Sequence, residues 1–448
     1  VAAVLFLTRK KPSQVAYAVM ENASLPIVTM EFEGEPVNTL HGYTRPMDLS
    51  YMRDTVTPLP ADRSLPFHIS TYGETIEGVS YEVRSLGEGR LIEEGECEGL
   101  SGDSSRVDGL LGLQDLLEQG KEYALVLRVR TEKWESVEYY TRLRYYGDTH
   151  LAEQLAFARS LSDSAISGTG TEEWTVQLET RSDADNSSLG YADIHSSFDQ
   201  VTWGSLSPER LGDVRVQLNE LNGMVASLTF LYDVTAQGDS GHMEVFHVNE
   251  FFSVRYVDGK LWLIAYERTM GQSFEPSDIT VQDGRIELGI VRPDELPAEL
   301  KSAGDYTAFA VDGELWSYNG KENEASRLFS FKEKNDDGIR TLYDQHKFRV
   351  IDVDEEGNVS FTVYGYMNRG SREGQCGLAF YQYDRGENAV REVFFIPSDK
   401  PYQVLKEEVG TLSYVGDNGL FYLMFGNSIY SIDFSGEEYV EVTDDDLS

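Results

Sequence analysis

Short runs in which apolar and polar residues alternate dominate the first third of the chain and predict β-strands. In Tyr123–Arg130, four apolar side chains fall on one face, because successive residues of a strand point to opposite sides. Similar runs separated by Gly, Pro and Asp are Ile27–Phe32, Leu65–Tyr72, Val79–Leu86, Leu91–Cys97 and Val137–Tyr145. Six or seven short strands within about 120 residues predict an antiparallel β-sandwich over residues 25–146.

One turn within this region has a distinctive spacing of Leu117, Gly120 and Tyr123. The segment Leu-Glu-Gln-Gly-Lys-Glu-Tyr-Ala-Leu-Val-Leu resembles the turn into the penultimate strand of fibronectin type III-like domains. The resemblance implies a tyrosine corner, in which the Tyr123 hydroxyl bonds to upstream backbone. The tryptophan common in an early strand of those domains is missing, so an unrelated β-sandwich with a similar turn stays open. Such domains usually serve as spacers or adhesive modules, and the fold alone implies no activity.

A helical period then interrupts the β pattern. Apolar residues recur at spacings of three and four, at Leu151, Leu155, Ala158 and Leu161. This spacing predicts a helix over Asp148–Ile166, with Asp148 or Thr149 as its N-cap and Gly168 at its end. We expect this linking helix, within residues 147–170, to mark a domain boundary. A shorter helical turn is predicted over Leu110–Gln119.

From Trp174 onward the pattern is β again, with a weak internal repeat. Val254–Leu263 is echoed by Ala308–Ser317, and looser copies are Val350–Val359 and Leu412–Phe421. Each copy carries a Gly between two β runs, often as Asp-Gly, which supplies the positive φ angles of a tight hairpin. We therefore predict that the two Asp-Gly pairs form equivalent hairpins, with Trp262 and Trp316 in equivalent packing positions.

The interval between these hairpins is typical of β-propeller blades. The four glycines, at positions 259, 313, 357 and 419, are separated by 54, 44 and 62 residues. A hairpin that recurs about every 50 residues predicts four-stranded blades, so residues 171–448 have room for about five or six. Lys347–Ile396 fits one whole blade. Whether the ring is complete stays open.

Charge and cysteine content exclude several classes of function. The 448 residues include 38 Lys and Arg against 77 Asp and Glu, a formal net charge of −39. Such a charge repels phosphate backbones and anionic lipid headgroups, so a nucleic-acid partner is not expected. The two cysteines, Cys97 and Cys376, are too few and too far apart for a disulfide scaffold or a thiolate zinc site.

The first residues have the composition of a membrane anchor. Val1–Leu7 is apolar and is followed by Arg9, Lys10 and Lys11. We interpret residues 1–24 as the end of an anchor and a linker; a buried N-terminal strand is the alternative. Positive charge after a membrane span favours the cytoplasmic side, so the orientation depends on whatever precedes Val1. Our expectation is an extracytoplasmic protein whose only membrane contact is this N-terminal segment.

Three short motifs resemble chemical sites, and each has a simpler explanation. Gly238–Gly241 matches the nucleophile motif of chymotrypsin-like proteases, but it lies between two β runs, as a polar turn does. His242 and His247 are five residues apart and point to opposite faces of a strand. Asp352–Gly357 resembles the start of an EF-hand loop, yet Val363 stands where a Glu is required. No catalytic residue, metal site or cofactor is predicted from them.

A long Gly-rich loop, within Tyr364–Gly377, joins two strong strands and is the best candidate ligand site. Tyr366, Asn368, Arg369 and Arg372 are its predicted binding residues, because arginine suits carboxylate or phosphate and a ring can stack on a sugar. The alternative is that both arginines pair with local carboxylates. This segment also resembles uncharacterised membrane-anchored proteins of Gram-positive bacteria, which implies an envelope setting.

Two functions follow from these patterns. The first is a membrane-tethered scaffold or binding protein of the cell envelope, whose partner is a glycan, a peptide or another envelope protein. The second is a propeller-type polysaccharide hydrolase or lyase. That chemistry needs two carboxylates about 5–10 Å apart across a cleft, one of them with a raised pKa.

Overall fold

The computed structural model describes residues 14–17, 20–147, 149–238, 241–282, 285–288, 299–332, 339–340, 343–416, 418–426, 428–434, 436 and 438–442. The fold is mainly β, as predicted. The first eleven strands are β1 Gln14–Tyr17, β2 Ile27–Phe32, β3 Glu35–Leu40, β4 Val56–Leu59, β5 Ser64–Ser70, β6 Ile76–Ser85, β7 Leu91–Glu96, β8 Ser101–Gly102, β9 Arg106–Gly112, β10 Glu122–Thr131 and β11 Val137–Tyr145.

Helices and long hairpins follow. The helices are α1 Leu151–Ile166, α2 Thr171–Gln177, α3 Phe198–Val201 and α4 Tyr402–Thr411, with a 3₁₀ helix at Pro276–Asp278. Strands β12 to β18 are Tyr191–Asp193, Glu209–Asn222, Val225–Gln237, Met243–Val257, Lys260–Gln272, Thr280–Gln282 and Arg285–Glu287. Strands β19 to β26 are Leu300–Ala303, Tyr306–Val311, Glu314–Asn319, Glu324–Ser330, His346–Val353, Val359–Tyr366, Cys376–Asp384 and Ala389–Ser398. Strands β27 to β30 are Ser413–Val415, Phe421–Phe425, Ser428–Asp433 and Glu438–Glu441.

Residues 27–145 form two five-stranded sheets. Their strand orders are β3-β2-β5-β9-β8 and β4-β11-β10-β6-β7. Alternate residues of both sheets, such as Phe67 and Leu125, are buried in one hydrophobic cluster, as the period-two pattern predicts. The helical turn predicted over Leu110–Gln119 is wrong at its start: Leu111 pairs with Leu65 inside β9, because the ladder with β5 outweighs a weak helical signal.

The predicted tyrosine corner is present. Tyr123 is 3% exposed, and its hydroxyl accepts a hydrogen bond from the backbone N–H of Glu118 at 3.0 Å. Leu117, 5% exposed, packs in the same core. The two partners are only five residues apart and both lie within the motif. The contact could therefore be predicted from the motif alone.

Helix α1 confirms the helix predicted over Asp148–Ile166, with a different cap; its role as a domain boundary stays a prediction. His150 is the N-cap, in the left-handed conformation and without a side-chain cap bond, whereas Asp148 lies outside the described residues. Gly168, at φ +64°, follows the helix end as expected. Helices α2 to α4 were not predicted. Within the described ranges, no helix combines the length and the apolar composition that crossing a bilayer requires.

Four successive antiparallel sheets make up most of the rest of the chain. The consecutive strands β13–β16, β19–β22, β23–β26 and β27–β30 each pair in sequence order; β12 joins the first sheet, and β1 joins the second in parallel with β22. The four strands predicted within Lys347–Ile396 are confirmed as β23 to β26. In the described part of the chain no closed ring of sheets is identified.

The repeated hairpins occur at changing positions within these sheets. The glycine at 259 joins the third and fourth strands of its sheet, that at 313 the second and third, and those at 357 and 419 the first and second. Asp258 and Asp312 have φ angles of 50° and 52°, followed by Gly at 76° and 68°, so both hairpins turn alike. The spacing of these glycines therefore reflects a recurring turn, but the turn joins different pairs of strands in the different sheets.

The later sheets stack face to face. Apolar side chains of β19–β22 and β23–β26, such as Phe329 and Phe361, share one cluster. The opposite face of β23–β26, including Phe380, packs against α4 and against Phe421 of β27–β30. The sheet β23–β26 is thus covered on both sides, which explains why almost every residue of β24 is buried.

Candidate functional site

Two of the four predicted ligand residues lie inside the protein. Tyr366 is 3% exposed, and its hydroxyl donates to the backbone oxygen of Gly42 at 2.7 Å. Asn368 is 4% exposed and donates to the backbone oxygen of Arg340. Both side chains hydrogen-bond to distant parts of the chain and are buried. The structure therefore does not place them on a ligand-binding surface, contrary to the prediction.

The two predicted arginines reach different partners. Arg369 is 9% exposed and donates to the backbone oxygens of Met20, Glu21 and Lys332 at 2.7, 2.8 and 3.0 Å. Arg372 donates two hydrogen bonds to one carboxylate oxygen of Glu392, Oε1, from Nη2 at 2.7 Å and from Nε at 3.0 Å. The alternative for Arg372, a local carboxylate pair, is therefore what the structure shows. Arg369 instead holds the linker that precedes β2.

Glu373, a residue that the sequence analysis did not single out, binds the same linker. We call Arg369 and Glu373 together the clamp. Its carboxylate accepts hydrogen bonds from the backbone N–H groups of Ser24 and Leu25, both at 2.7 Å, and from the Ser24 hydroxyl at 2.9 Å. Arg340 donates to the backbone oxygen of Leu25. The Gly-rich loop thus binds residues 20–25 of its own chain, about 350 positions away, and no local sequence signal could have shown it.

A cavity of about 470 Å³ lies beside Arg369, and we call it the arginine cavity. Arg327, Lys332 and Arg369 are among its lining residues, and the ammonium group of Lys332 itself pairs with Asp312. The rings of Tyr17, Phe329 and Tyr381 and the carboxyl groups of Glu21 and Glu392 also line it. Arg327 stacks on the Tyr17 ring at 4.6 Å and pairs with Glu314 at 3.1 Å, so its position is fixed.

A second cavity, of about 230 Å³, lies where the sheet β13–β16 meets β19–β22; we call it the junction cavity. His247 stands between two carboxylates, with Nδ1 2.8 Å from Asp233 and Nε2 3.6 Å from Asp312. Asp312 also pairs with Lys332 and accepts from the backbone N–H of Phe274 at 3.2 Å. The cluster joins residues of both sheets into one charged network.

Burial and ion pairing compete in this network. Burial by itself would lower the pKa of His247, but Asp233 and Asp312 outweigh it and raise that pKa to about 9. Burial would likewise raise the pKa of Asp312, yet His247 and Lys332 outweigh it and hold that pKa below its usual range. Both groups are therefore charged at neutral pH.

A second histidine, His346, faces the same cavity with the opposite protonation state. His346 is 6% exposed, and its Nε2–H donates to the backbone oxygen of Gly313 at 3.0 Å. Its Nδ1 has no hydrogen-bond partner in the described structure and is 3.8 Å from Asp344. Burial lowers the pKa of His346. The cavity therefore contains one charged and one neutral imidazole.

The three short motifs of the sequence analysis lie within or beside hairpin turns. Two residues of Gly238–Gly241 lie outside the described part, which shows β14 and β15 on either side. His242 is exposed, and Asp354 accepts bonds from Asn358 as part of a hairpin turn. No group of three or more His, Cys, Asp or Glu side chains within the described ranges is arranged to hold a metal ion.

Comparisons with known proteins add little. No protein-family model matches the sequence, and no curated protein matches it. Among solved structures, the chain is similar to the extracellular domain of a suspected one-component system protein from B. thetaiotaomicron, with 8% identity and a TM-score of 0.17. The match covers 49% of this chain and 32% of that one, so the chain spans about a third of its length. A likeness this remote carries no argument, and the resemblance to Gram-positive envelope proteins stays a prediction.

Proposed function

We propose that this chain is a binding protein of the cell envelope that holds an acidic saccharide in the arginine cavity. The observation that carries the proposal is that Arg327, Lys332 and Arg369 line one cavity in a chain of net charge −39. An anion that approaches this chain meets a repulsive field, so a site for it requires cations gathered at one place. The volume of about 470 Å³ is that of an ordinary small-ligand pocket.

The lining residues suit a sugar acid. Three backbone carbonyls fix the Arg369 guanidinium at the wall, so little side-chain entropy is lost when a ligand binds. Tyr17, Phe329 and Tyr381 offer aromatic surface for the apolar face of a sugar ring. Glu21 and Glu392 accept hydrogen bonds from sugar hydroxyls.

The proposal includes the domain organisation that the sequence predicts. Residues 25–146 serve as a β-sandwich spacer of the fibronectin type III-like kind, supported by two sheets that share one core. Residues 147–170 link it to residues 171–448, which act as propeller-like blades, supported by four successive antiparallel sheets. In this proposal residues 1–24 tether the protein outside the cytoplasm and enter the fold through the clamp at Arg369 and Glu373.

The test adds negative charge to the cavity rim without removing any of its cations. Asn22 and Ser371 both line the cavity and are exposed. The double variant Asn22→Asp, Ser371→Asp should weaken binding of galacturonic-acid oligosaccharides at least about tenfold by calorimetry, because each carboxylate repels the ligand. The matched control is Ser104→Asp, Ser187→Asp, two exposed positions elsewhere.

We expect the control to bind within about twofold of wild type and neutral galactan oligosaccharides to bind more weakly than acidic ones. The proposal is overturned if wild type binds no acidic saccharide at millimolar concentration, or if the rim variant binds as tightly as the control. Thermal unfolding of all variants shows whether each is folded.

The hydrolase or lyase alternative has one observation in its favour. Asp233 and Asp312 lie on either side of His247 in the junction cavity. A glycosidase, however, needs a carboxyl group whose pKa is raised, and the pKa of Asp312 is lowered. The arrangement therefore favours an ion-pair network over an acid catalyst. Release of reducing ends from polygalacturonate by wild type, and not by Asp233→Asn, would reverse this preference.

A further inference from the structure

The junction cavity has two walls that come from different sheets. The first wall is one face of β13–β16, where Arg215 pairs with Leu231 and, two residues further along β14, Asp233 pairs with His247. Residues directly opposite in a ladder, and residues two apart on a strand, point to the same side of the sheet. The second wall is formed by later segments, which contribute Asp312, Gly313, Phe331, Lys332, Asp344 and His346.

One polar atom at this cavity lacks the partner that burial requires. The side chain of His346 is 5% exposed, and its Nδ1 has no hydrogen-bond partner in the described structure. Because Nε2 carries the proton that is donated to the Gly313 oxygen, Nδ1 of this neutral ring is an acceptor. The Asp344 carboxylate, 3.8 Å from Nδ1, is an acceptor as well. A buried acceptor without a donor is unfavourable, so this place requires a group that donates to both.

The charges around the cavity are balanced. Three cationic side chains and three carboxyl groups line it: Arg215, His247 and Lys332, and Asp233, Asp312 and Asp344. A ligand with a single uncompensated charge would upset this balance, whereas a zwitterion keeps it. Guanidinium and ammonium groups each have several N–H donors, so Arg215 and Lys332 can bind a ligand carboxylate while they keep their partners within the chain.

We propose that the junction cavity binds a small α-amino acid with an apolar side chain. The ammonium group of this ligand donates to His346 Nδ1 and to the Asp344 carboxylate. Its carboxylate group accepts hydrogen bonds from Arg215 and Lys332. Both of its charged groups thereby meet partners of opposite or complementary character, and the missing donor at His346 is supplied.

The rest of the lining limits the size and the side chain of the ligand. The cavity volume of about 230 Å³ lies below the roughly 300–1,000 Å³ of pockets for drug-sized ligands, so the ligand is small. Leu231 and Phe331 offer it apolar surface, and Phe331 is itself buried. The net charge of −39 does not repel such a ligand, because the charges of a zwitterion sum to zero.

Calorimetry of the whole chain with leucine tests the proposal. Leucine should bind with a dissociation constant below about 1 mM. Two analogues each lack one of its charged groups: N-acetyl-leucine has no ammonium group, and isopentylamine has no carboxylate. Each should bind at least about tenfold more weakly than leucine, because the cavity groups that face the missing charge are left unpaired.

The variant Asp344→Asn removes the carboxylate at the ammonium end. The Asp344 side chain is 72% exposed, so the variant should fold, and it should weaken leucine binding at least about fivefold. The matched control is Asp258→Asn at an exposed turn, which should bind leucine within about twofold of wild type. Neither residue lines the arginine cavity, so the outcome does not depend on acidic-saccharide binding. Thermal unfolding shows whether each variant is folded.

The ring of His346 reports where leucine binds. Its Cε1–H signal in a proton–carbon NMR spectrum is identified by its absence from the spectrum of His346→Gln, and that of His195 in the same way. The His346 signal should shift when leucine is added, whereas His195, which does not line the cavity, should keep its signal in place.

Three outcomes overturn the proposal. The first is that neither heat nor a shift of the His346 signal is seen with leucine at about 10 mM, which would mean that water alone supplies the donor. The second is that N-acetyl-leucine binds as tightly as leucine. The third is that Asp344→Asn binds leucine as tightly as Asp258→Asn.

Discussion

Two hairpins with almost the same sequence have very different surroundings. Val-Asp-Gly-Lys-Leu-Trp ends at Trp262, and Val-Asp-Gly-Glu-Leu-Trp ends at Trp316. The turns match in φ, and the tryptophans match in register, paired with Arg255 and Phe309 respectively. Yet Trp262 is 41% exposed and Trp316 is 1% exposed. The prediction of equivalent packing positions is therefore wrong, although the prediction of equivalent turns is confirmed.

The difference arises from what covers each sheet face. Trp316 packs edge-on against Phe274 at 5.3 Å, in a cluster with Ile279. Both partners belong to the segment that follows β16, the strand that carries Trp262. On the face of Trp262 itself, Ile264 is 49% exposed. Local sequence thus determines the turn and the register, whereas a segment from another part of the chain decides which tryptophan is in the core.

The largest expected effect sharpens this contrast. Trp316→Ala should lower the free energy of unfolding by about 3–5 kcal/mol, because it leaves a large cavity in a covered face. Trp262→Ala should cost less than about 1 kcal/mol, because its side chain stays partly in water. Urea unfolding of both variants measures the difference, and equal losses would show that the two hairpins are packed alike.

The aspartates of the two turns should differ in pH dependence. Asp258 is exposed, whereas Asp312 is 8% exposed and faces His247. The pKa of His247 is raised to about 9, so its stabilisation is complete below about pH 6.5 and fades as pH rises towards 9. Because the pKa of Asp312 is lowered, its carboxylate stabilises the fold above the ordinary pKa of an aspartate, near 4. This stabilisation is lost as the pH falls below that value.

The variant His247→Gln measures this contribution. Between pH 6 and 9.5 the free energy of unfolding of wild type should fall by about 1–3 kcal/mol more than that of His247→Gln. The reason is that one pKa unit corresponds to about 1.4 kcal/mol. Asp258→Asn is the matched control and should follow wild type across this range. Parallel pH profiles for wild type and His247→Gln would show that the ion pair does not stabilise the fold.

Glycine substitutions should affect both hairpins equally. Gly259 and Gly313 have φ angles of 76° and 68°, and an added Cβ would meet nothing closer than 3.6 Å at either one. Gly259→Ala and Gly313→Ala should therefore each cost about 1–2 kcal/mol, from the left-handed backbone alone. Thermal unfolding compares them; a cost at Gly313 several times larger would mean that its surroundings also contribute.

The smallest expected effect concerns a motif whose contact is local. Tyr123→Phe removes the hydrogen bond from the Glu118 N–H and should cost about 0.5–1.5 kcal/mol. Tyr422→Phe is a control on a half-exposed tyrosine and should cost less. If denaturant unfolding shows no loss for Tyr123→Phe, water replaces the hydroxyl contact and the corner is held by packing alone.

The candidate site shows where prediction from the sequence stops. The choice of Arg369 and Arg372 rested on their rarity in an acidic chain and on a polar Gly-rich loop. Both features are real, and Arg369 does line a cavity. The burial of Tyr366 depends on Gly42, which lies 324 positions away, and no feature of the loop encodes that distance. The decisive partners of a loop residue can lie anywhere in the chain.

By itself the sequence determined the mainly β class, helix α1, the tyrosine corner and the Asp-Gly turns, because each depends on interactions between residues close along the chain. Only the tertiary structure decided the rest. Whether Trp316 or Trp262 is buried, which cations share a cavity, and which sheet keeps an open face depend on contacts between distant segments. Those contacts form because apolar surface is removed from water wherever folded elements meet, and that driving force has no direction along the sequence.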